Sequence, residues 1–173
     1  MAMRWLWGLL CLLPWGAALA QPVPEAGAKA GEVFPRAASL KRGEVNVRSG
    51  PGTQYPILWV YWRAGYPVAL VARFDNYLKI RDFEGEEGWV HQAMVSKRIT
   101  ALVASKEPAR LLKDAEPGSR AVARLAPGVM VALTEPCTPD WCAVEVIPSG
   151  EEGYLRPTDL DVPTPDAFQQ PTP

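Results

Sequence analysis

The chain has 173 residues and a formal net charge of −1, with 18 basic and 19 acidic side chains scattered along it. This balance argues against nucleic acid as a partner, because nucleic-acid-binding proteins usually carry a basic face or stripe. The 18 prolines and 14 glycines favour short strands and many turns over long helices.

The N-terminal segment 1–20 is predicted to be a cleaved export signal. A short basic start ends at Arg4, an apolar run covers 5–17, and Ala-Leu-Ala at 18–20 fits the small-x-small rule for cleavage after Ala20. The apolar run is short for a membrane span. We therefore expect an exported protein with no stable membrane anchor once the signal is removed.

The stretch 45–57 is predicted to be a strand, a loop and the start of a second strand. Two valines alternate with Asn46 and Arg48, which is the two-residue period of a half-buried strand. Ser-Gly-Pro-Gly at 49–52 then breaks the strand, since its glycines allow positive φ and its proline fixes φ. An apolar, aromatic strand resumes at 57–62.

An internal repeat follows along the chain. Val-Ala-Leu occurs at 68–70 and again at 131–133, with an offset of 63 residues. Gly-Glu-Glu-Gly occurs at 85–88 and at 150–153, with an offset of 65, and each copy precedes an aromatic and an aliphatic residue. Two units of about 60 residues each lie near the lower size limit for a self-sufficient core, so we expect them to pack on each other.

The predicted fold class is therefore all-β, with two small β-barrels in tandem between flexible ends. The predicted segments are the signal peptide 1–20, a flexible linker rich in Pro, Ala, Gly and Glu at 21–38, the first unit at 39–97, the second unit at 98–161 and a disordered Pro-rich tail at 162–173.

Several motifs, in order, resemble the bacterial SH3-like domain family. They are Asn-Val-Arg-Ser-Gly-Pro at 46–51 followed by Tyr-Pro at 55–56, Gly-x-Pro-Val at 65–68, an aromatic-led strand at Tyr77 and Gly-x-x-Gly-Trp-Val at 85–90. The tandem arrangement is similar to exported SH3-domain proteins of Gram-negative bacteria, in which a second copy carries a Trp-Cys strand. The resemblance covers residues 43–160 and implies two SH3-like barrels in the periplasm.

The second copy departs from this pattern. It has Arg-Leu-Leu-Lys-Asp-Ala-Glu-Pro-Gly at 110–118 in place of the first loop, and its strand at 121–125 lacks the aromatics of 59–62. We therefore expect the second copy to be degenerate, to have lost any ligand surface and to serve a packing role.

The cysteines left after cleavage are Cys137 and Cys142, only five positions apart. In an exported chain such a pair is expected to form a disulfide rather than a metal site. Zinc would need three or four close ligands, so we expect no metal and no cofactor. The alternative, a cysteine hydrolase with Cys142 as nucleophile and His91 as base, needs a free thiol; we expect no catalytic activity.

The first unit carries more large rings than a barrel of its size can hide, so some are expected to line a groove. The candidate ligand-binding residues are Arg48, Tyr55, Trp59, Trp62, Tyr77 and Trp89. Tyr77 and Trp89 could instead be core residues, and Arg48 could either meet a carboxylate or cap the loop that follows it. Both faces of 57–62 are apolar, so alternation does not decide whether Trp59 or Trp62 faces solvent.

The resemblance implies a binding role, since SH3-like domains of bacterial envelopes often bind cell-wall peptide or hold a partner protein. We therefore expect a non-catalytic periplasmic module for peptidoglycan or its peptides. The alternative is a protein–protein adaptor or targeting subunit that holds an envelope protein. Fold does not decide between these two classes.

Overall fold

The computed structural model describes residues 32–163, which form two antiparallel sheets of seven strands each. The predicted all-β class is confirmed: the helical turns in this range are two short 3₁₀ segments, Gln92–Met94 and Pro157–Asp159. No helix among these residues has the length and apolar character needed to cross a bilayer. The predicted signal peptide 1–20, most of the linker and most of the tail lie outside the described residues.

The two sheets have the same strand order. The first contains β1 Arg36–Leu40, β2 Val45–Arg48, β3 Ile57–Tyr61, β4 Pro67–Phe74, β5 Tyr77–Arg81, β6 Glu87–His91 and β7 Val95–Ser96. The second contains β8 Thr100–Val103, β9 Ala109–Leu112, β10 Ala121–Leu125, β11 Met130–Leu133, β12 Cys142–Val146, β13 Glu152–Leu155 and β14 Leu160–Asp161. Their orders are β3-β2-β6-β5-β4-β1-β7 and β10-β9-β13-β12-β11-β8-β14, so each strand of the second follows its counterpart by seven. We call residues 32–97 the first unit and residues 98–163 the second.

Each sheet surrounds its own hydrophobic core, built by the two-residue alternation of its strands. In β2, Val45 and Val47 are buried while Asn46 is exposed, as the sequence pattern predicts. The buried core of the first sheet is Ala38, Leu40, Val45, Val47, Val68, Leu70, Leu78, Ile80 and Val90. That of the second is Ala101, Val103, Ala109, Leu111, Leu125, Val131, Cys142, Val144, Val146, Leu155 and Leu160.

Strand β1 begins at Arg36, inside the segment 21–38 that was predicted to be a flexible linker. Its residues, Arg-Ala-Ala-Ser-Leu, are mostly small and show little apolar alternation. The strand forms because β4 and β7 pair with it on both sides, and such tertiary partners override weak local preference. Just before it, Glu32 pairs with Arg36 at 3.0 Å and with Arg73 at 2.5 Å, which ties this end of the chain to the first sheet.

The Glu32 ion pairs should make stability depend on acid pH. The hydrogen bond from Arg73, joined by Arg36, outweighs partial burial and lowers the pKa of the Glu32 carboxyl from 4.5 to about 2. Because the folded-state pKa is lowered, the stabilisation is fully present above about pH 4.5 and is lost as pH falls toward 2. Glu32→Gln should therefore lower the free energy of unfolding by about 1 kcal/mol at neutral pH, a value discounted for solvent screening. In urea denaturation the difference from wild type should shrink below pH 4; a difference that stays constant with pH would contradict this account.

The two sheets meet beside the short connection 97–99. The buried Thr100 donates from Oγ1 to the carbonyl oxygen of Gly65 at 2.8 Å, and Ser39 donates from Oγ to the carbonyl oxygen of Arg98 at 2.8 Å. A Cβ placed on Gly65 would lie 3.1 Å from Cδ1 of Ile147, so the second unit also touches Gly65 with an apolar side chain. The units therefore pack on one another, as their small size leads us to expect.

Candidate functional site

A groove of about 360 Å³ opens on the first sheet. Its lining combines cations, a carboxylate, an amide, an imidazole and a phenol ring. The lining residues are Arg42, Glu44, Asn46, Arg48, Thr53, Tyr77, His91 and Met94. The side chains of Arg42 and Glu44 make no ion pair or hydrogen bond within residues 32–163. Charges of both signs are thus available to a ligand at one place.

The strand register brings the aromatic wall of the groove together. Tyr77 at the start of β5 lies opposite His91 at the end of β6, and their rings meet edge to face with centroids 5.4 Å apart. The amide N–H of Ala93 donates to Nδ1 of His91 at 3.2 Å, which caps the 3₁₀ turn. In the neutral imidazole Nε2 then carries the hydrogen, so it is the donor that remains for a ligand.

Arg48 caps the loop that follows it, which is one of the two roles that the sequence left open for it. Its Nη1 donates to the carbonyl oxygens of Thr53 at 3.3 Å and Tyr55 at 2.8 Å. It has no carboxylate partner in the described part of the chain. Arg48 therefore holds the loop beside the groove and keeps further guanidinium donors for a ligand.

Gly50 of this loop allows a close approach, and neither Gly50 nor Gly52 has the positive φ that the sequence allowed. A Cβ on Gly50 would lie 2.5 Å from Cδ1 of Tyr55, so only glycine lets that ring lie on the loop backbone. Tyr55 itself is 39% exposed and forms part of the loop surface.

Trp62, and not Trp59, faces solvent. Trp59 is half-buried, packs against the core of the first sheet and meets Tyr61 edge to face at 6.3 Å. Trp62 is 71% exposed. It directly follows β3, which pairs with β2, the strand that supplies Asn46 and Arg48 to the groove.

Tyr77 and Trp89 lie outside the buried core, so the core alternative was wrong for both. Tyr77 lines the groove. Trp89 is half-buried and lies between Arg48 on β2 and Lys79 on β5. It flanks the groove without lining it.

Six of the groove residues were not among the candidates named from the sequence. They are Arg42, Glu44, Asn46, Thr53, His91 and Met94. The alternation of β2 could have found Asn46, because it puts that residue on the same face as Arg48. His91 was considered only as a catalytic base, and its place beside Tyr77 follows from the register of β5 and β6, which the sequence does not specify.

A second recess surrounds Trp141 on the second sheet. Two cavities of about 410 Å³ each share Pro117, Trp141 and Arg156 in their linings. The guanidinium of Arg156 lies over the indole ring, 5.8 Å from its centroid. The predicted disulfide between Cys137 and Cys142 is present and closes the loop that leads into Trp141.

The two residues of the hydrolase alternative lie on different sheets. Cys142 is buried and bonded to Cys137 on the second unit, while His91 ends a strand of the first sheet. Among residues 32–163, no group of three or more His, Cys, Asp or Glu side chains is arranged to hold a metal ion. What the described residues do offer is open grooves with rings and unpaired charges.

The fold and the groove of the first unit are those of a small binding domain. Residues 41–97 match the family model described as "Bacterial SH3 domain", so this part of the chain is a bacterial SH3-like domain, as its motifs predict. No curated protein matches the chain.

Two solved structures similar to the chain are NlpC1 and NlpC2 from Trichomonas vaginalis. The NlpC1 match has 12% identity and a TM-score of 0.33, and covers 82% of this chain and 50% of that one. The NlpC2 match has 11% identity and a TM-score of 0.33, and covers 74% and 48%. This chain therefore spans about half the length of each, and a likeness of this size carries no argument about function.

Proposed function

We propose that this chain is a non-catalytic, exported module that binds peptidoglycan through the peptides of the cell wall. The observation that supports the proposal is the mixed groove on the bacterial SH3-like unit. Arg42 and Arg48 suit carboxylates, Glu44 suits an amine and Asn46 suits peptide amides. Cell-wall peptides carry all three kinds of group, so one ligand could satisfy the whole lining.

Trp62 follows the strand that pairs with β2 and offers an exposed apolar surface on the same unit. A rigid, exposed indole offers a large contact area with little loss of side-chain entropy, and tryptophan is enriched among residues that dominate binding energy. The disulfide between Cys137 and Cys142 supports export, because such bonds persist in oxidising compartments such as the periplasm. It also occupies the sulfur that a cysteine hydrolase would need.

Trp62→Ala should weaken co-sedimentation with purified Gram-negative sacculi. Residues 21–173 are incubated with sacculi and the bound fraction is measured over a range of concentrations. Loss of an exposed anchor should cost about 2 kcal/mol of binding free energy, a roughly thirtyfold rise in Kd. Because Trp62 is 71% exposed, the thermal unfolding midpoint should stay near that of wild type.

Val122→Ala is the matched control, since Val122 is an exposed apolar residue on β10 of the other sheet. It should bind sacculi as wild type does. A wild-type protein that stays in the supernatant at tens of micromolar would overturn the proposal.

A periplasmic adaptor is the second candidate, and the edge of the first sheet favours it. Within that sheet β3 is a terminal strand that pairs only with β2, and its Ile57 and Leu58 are 46% and 51% exposed. An apolar edge strand can take up an extended segment of a partner protein. If sacculi fail to bind, capture of an envelope protein that Leu58→Lys abolishes would support this candidate.

A further inference from the structure

We infer that the second unit carries a second site for the same class of peptide, centred on Trp141 and Arg156. The inference rests on the proposed function of the first groove and extends it to a unit whose sequence predicts only packing. Three observations carry it: the position of the recess, the charges around it and the way Trp141 is held.

The recess occupies the same place in the second sheet as the groove does in the first. Tyr77 opens β5, and Trp141 directly precedes the equivalent strand β12. His91 ends β6, and Arg156 directly follows the equivalent strand β13. A 3₁₀ turn comes next in both units. An aromatic ring and a nitrogen-bearing side chain therefore meet at matching positions.

The neighbouring strand and loop match as well. Asn46 is exposed on β2 between two buried valines, and Arg110 is exposed on β9 between two buried apolar residues. Each lines the recess of its own unit. Thr53 and Pro117, from the loops after these strands, also line the respective recesses.

The charges around Trp141 form no ion pairs within the described residues, although the guanidinium of Arg156 lies over the indole ring. Arg110 and Arg156 provide cations, and the acids are Glu107, Asp140 and Asp159. None of these five takes part in an ion pair within residues 32–163. As in the first groove, groups of both signs surround a ring, which suits a peptide with free carboxylates and an amine.

Trp141 is held in place by its own loop. The backbone N–H of Thr138 donates to the carbonyl oxygen of Trp141 at 2.8 Å. The backbone N–H of Trp141 donates to Oγ1 of Thr138 at 3.0 Å. The next residue, Cys142, is bonded to Cys137. An anchor that is already ordered loses less entropy when a ligand binds.

The loop at 113–119 no longer needs the arginine that caps the first loop. The buried Ser119 donates from Oγ to Oδ2 of Asp114 and accepts from the Asp114 N–H, both at 3.0 Å. The Asn-Val-Arg-Ser-Gly-Pro loop is therefore replaced by a differently pinned loop, and its absence does not remove the recess. Two sites on one chain would strengthen attachment to a polymer that repeats the same peptide.

Calorimetric titration with a soluble muropeptide, released from sacculi by a muramidase, tests the second site. Wild type should bind about two muropeptides per chain, because each ligand molecule can occupy only one site. Trp141→Ala and Tyr77→Ala should each reduce the stoichiometry to about one. On intact sacculi, where both sites act together, either variant should bind at least about tenfold more weakly.

Arg156→Gln guards against a folding artefact. Arg156 is exposed and outside the core, so this variant should keep the wild-type unfolding midpoint while weakening the second site. One muropeptide per wild-type chain, lost in Tyr77→Ala and unaffected by Trp141→Ala, would overturn this inference and leave the proposed function intact. One muropeptide lost only in Trp141→Ala would support the second site and overturn the proposal for the first groove. Absence of binding to both muropeptide and sacculi would overturn both.

Discussion

Gly153→Ala is expected to destabilise the second unit by about 3 kcal/mol. A Cβ on Gly153 would lie 2.6 Å from the carbonyl oxygen of Leu112 and 2.8 Å from Cγ of Leu111. Leu111 is fully buried, and the carbonyl belongs to β9, which pairs with β13 at this point. The carbonyl cannot move away without opening the sheet, and the buried Leu111 side chain cannot move without repacking the core. The added methyl group should therefore lower the free energy of unfolding as much as severe overpacking does. Chemical denaturation followed by circular dichroism measures the loss.

Two other glycines calibrate this result. Gly88 is the equivalent position of the first sheet, where a Cβ would lie 2.2 Å from Cγ1 of the buried Val47 and 3.2 Å from the nearest backbone atom. A side chain can adjust more than a backbone carbonyl, so Gly88→Ala should cost about 2 kcal/mol. A Cβ on Gly43 would meet nothing closer than 3.5 Å, so Gly43→Ala should be nearly neutral. A Gly153→Ala protein as stable as Gly43→Ala would contradict this expectation and show that β9 and β13 can separate enough to hold the added methyl group.

Much of the fold follows from local pattern. The valines of β2 alternate with polar residues, and the repeated Gly-Glu-Glu-Gly turns mark two hairpins at equal places in the two units. These features depend on neighbours in sequence. Strand β1 was missed because its small residues carry no alternation and its pairing with β4 and β7 depends on residues far along the chain.

The groove was only partly predictable for a similar reason. Arg48 and Tyr77 were candidates because of their residue types and their place in the motifs. The register of β5 and β6 places His91 beside Tyr77. Arg42 and Glu44 lie just before β2, where no sequence pattern marks them as groove residues. The repeat offsets of 63 and 65 residues place Trp141 at the position equivalent to Tyr77. The second copy lacks the loop motif, so the sequence suggested that it had lost any ligand surface. In the structure its loop is held by Ser119, whereas the first loop is held by Arg48.

Asp82→Ala is expected to cost the first unit about 3 kcal/mol. Asp82 is only 4% exposed, and its carboxylate accepts three hydrogen bonds. The hydroxyl of Tyr61 donates to Oδ2 at 2.6 Å, and the backbone N–H groups of Glu84 and Glu86 each donate to Oδ1 at 3.0 Å. Alanine would leave all three donors without this acceptor, and the turn between β5 and β6 would lose its link to β3.

Tyr61→Phe and Asp82→Asn separate the parts of this network. Burial raises the pKa of Tyr61, and the bond to Asp82 raises it further, so the hydroxyl stays a donor at neutral pH. Tyr61→Phe removes only that bond and should cost about 1 kcal/mol. Asp82→Asn keeps an oxygen for the two backbone donors, so its loss of unfolding free energy should lie between those of Asp82→Ala and Tyr61→Phe. The equivalent position of the second sheet, directly after β12, is Ile147, which has no carboxylate. The loss of stability should therefore be confined to the first unit. Equal losses of unfolding free energy in Asp82→Ala and Tyr61→Phe would mean that the two backbone N–H groups bond to water instead. The bond to Tyr61 would then account for the whole contribution of Asp82 to stability.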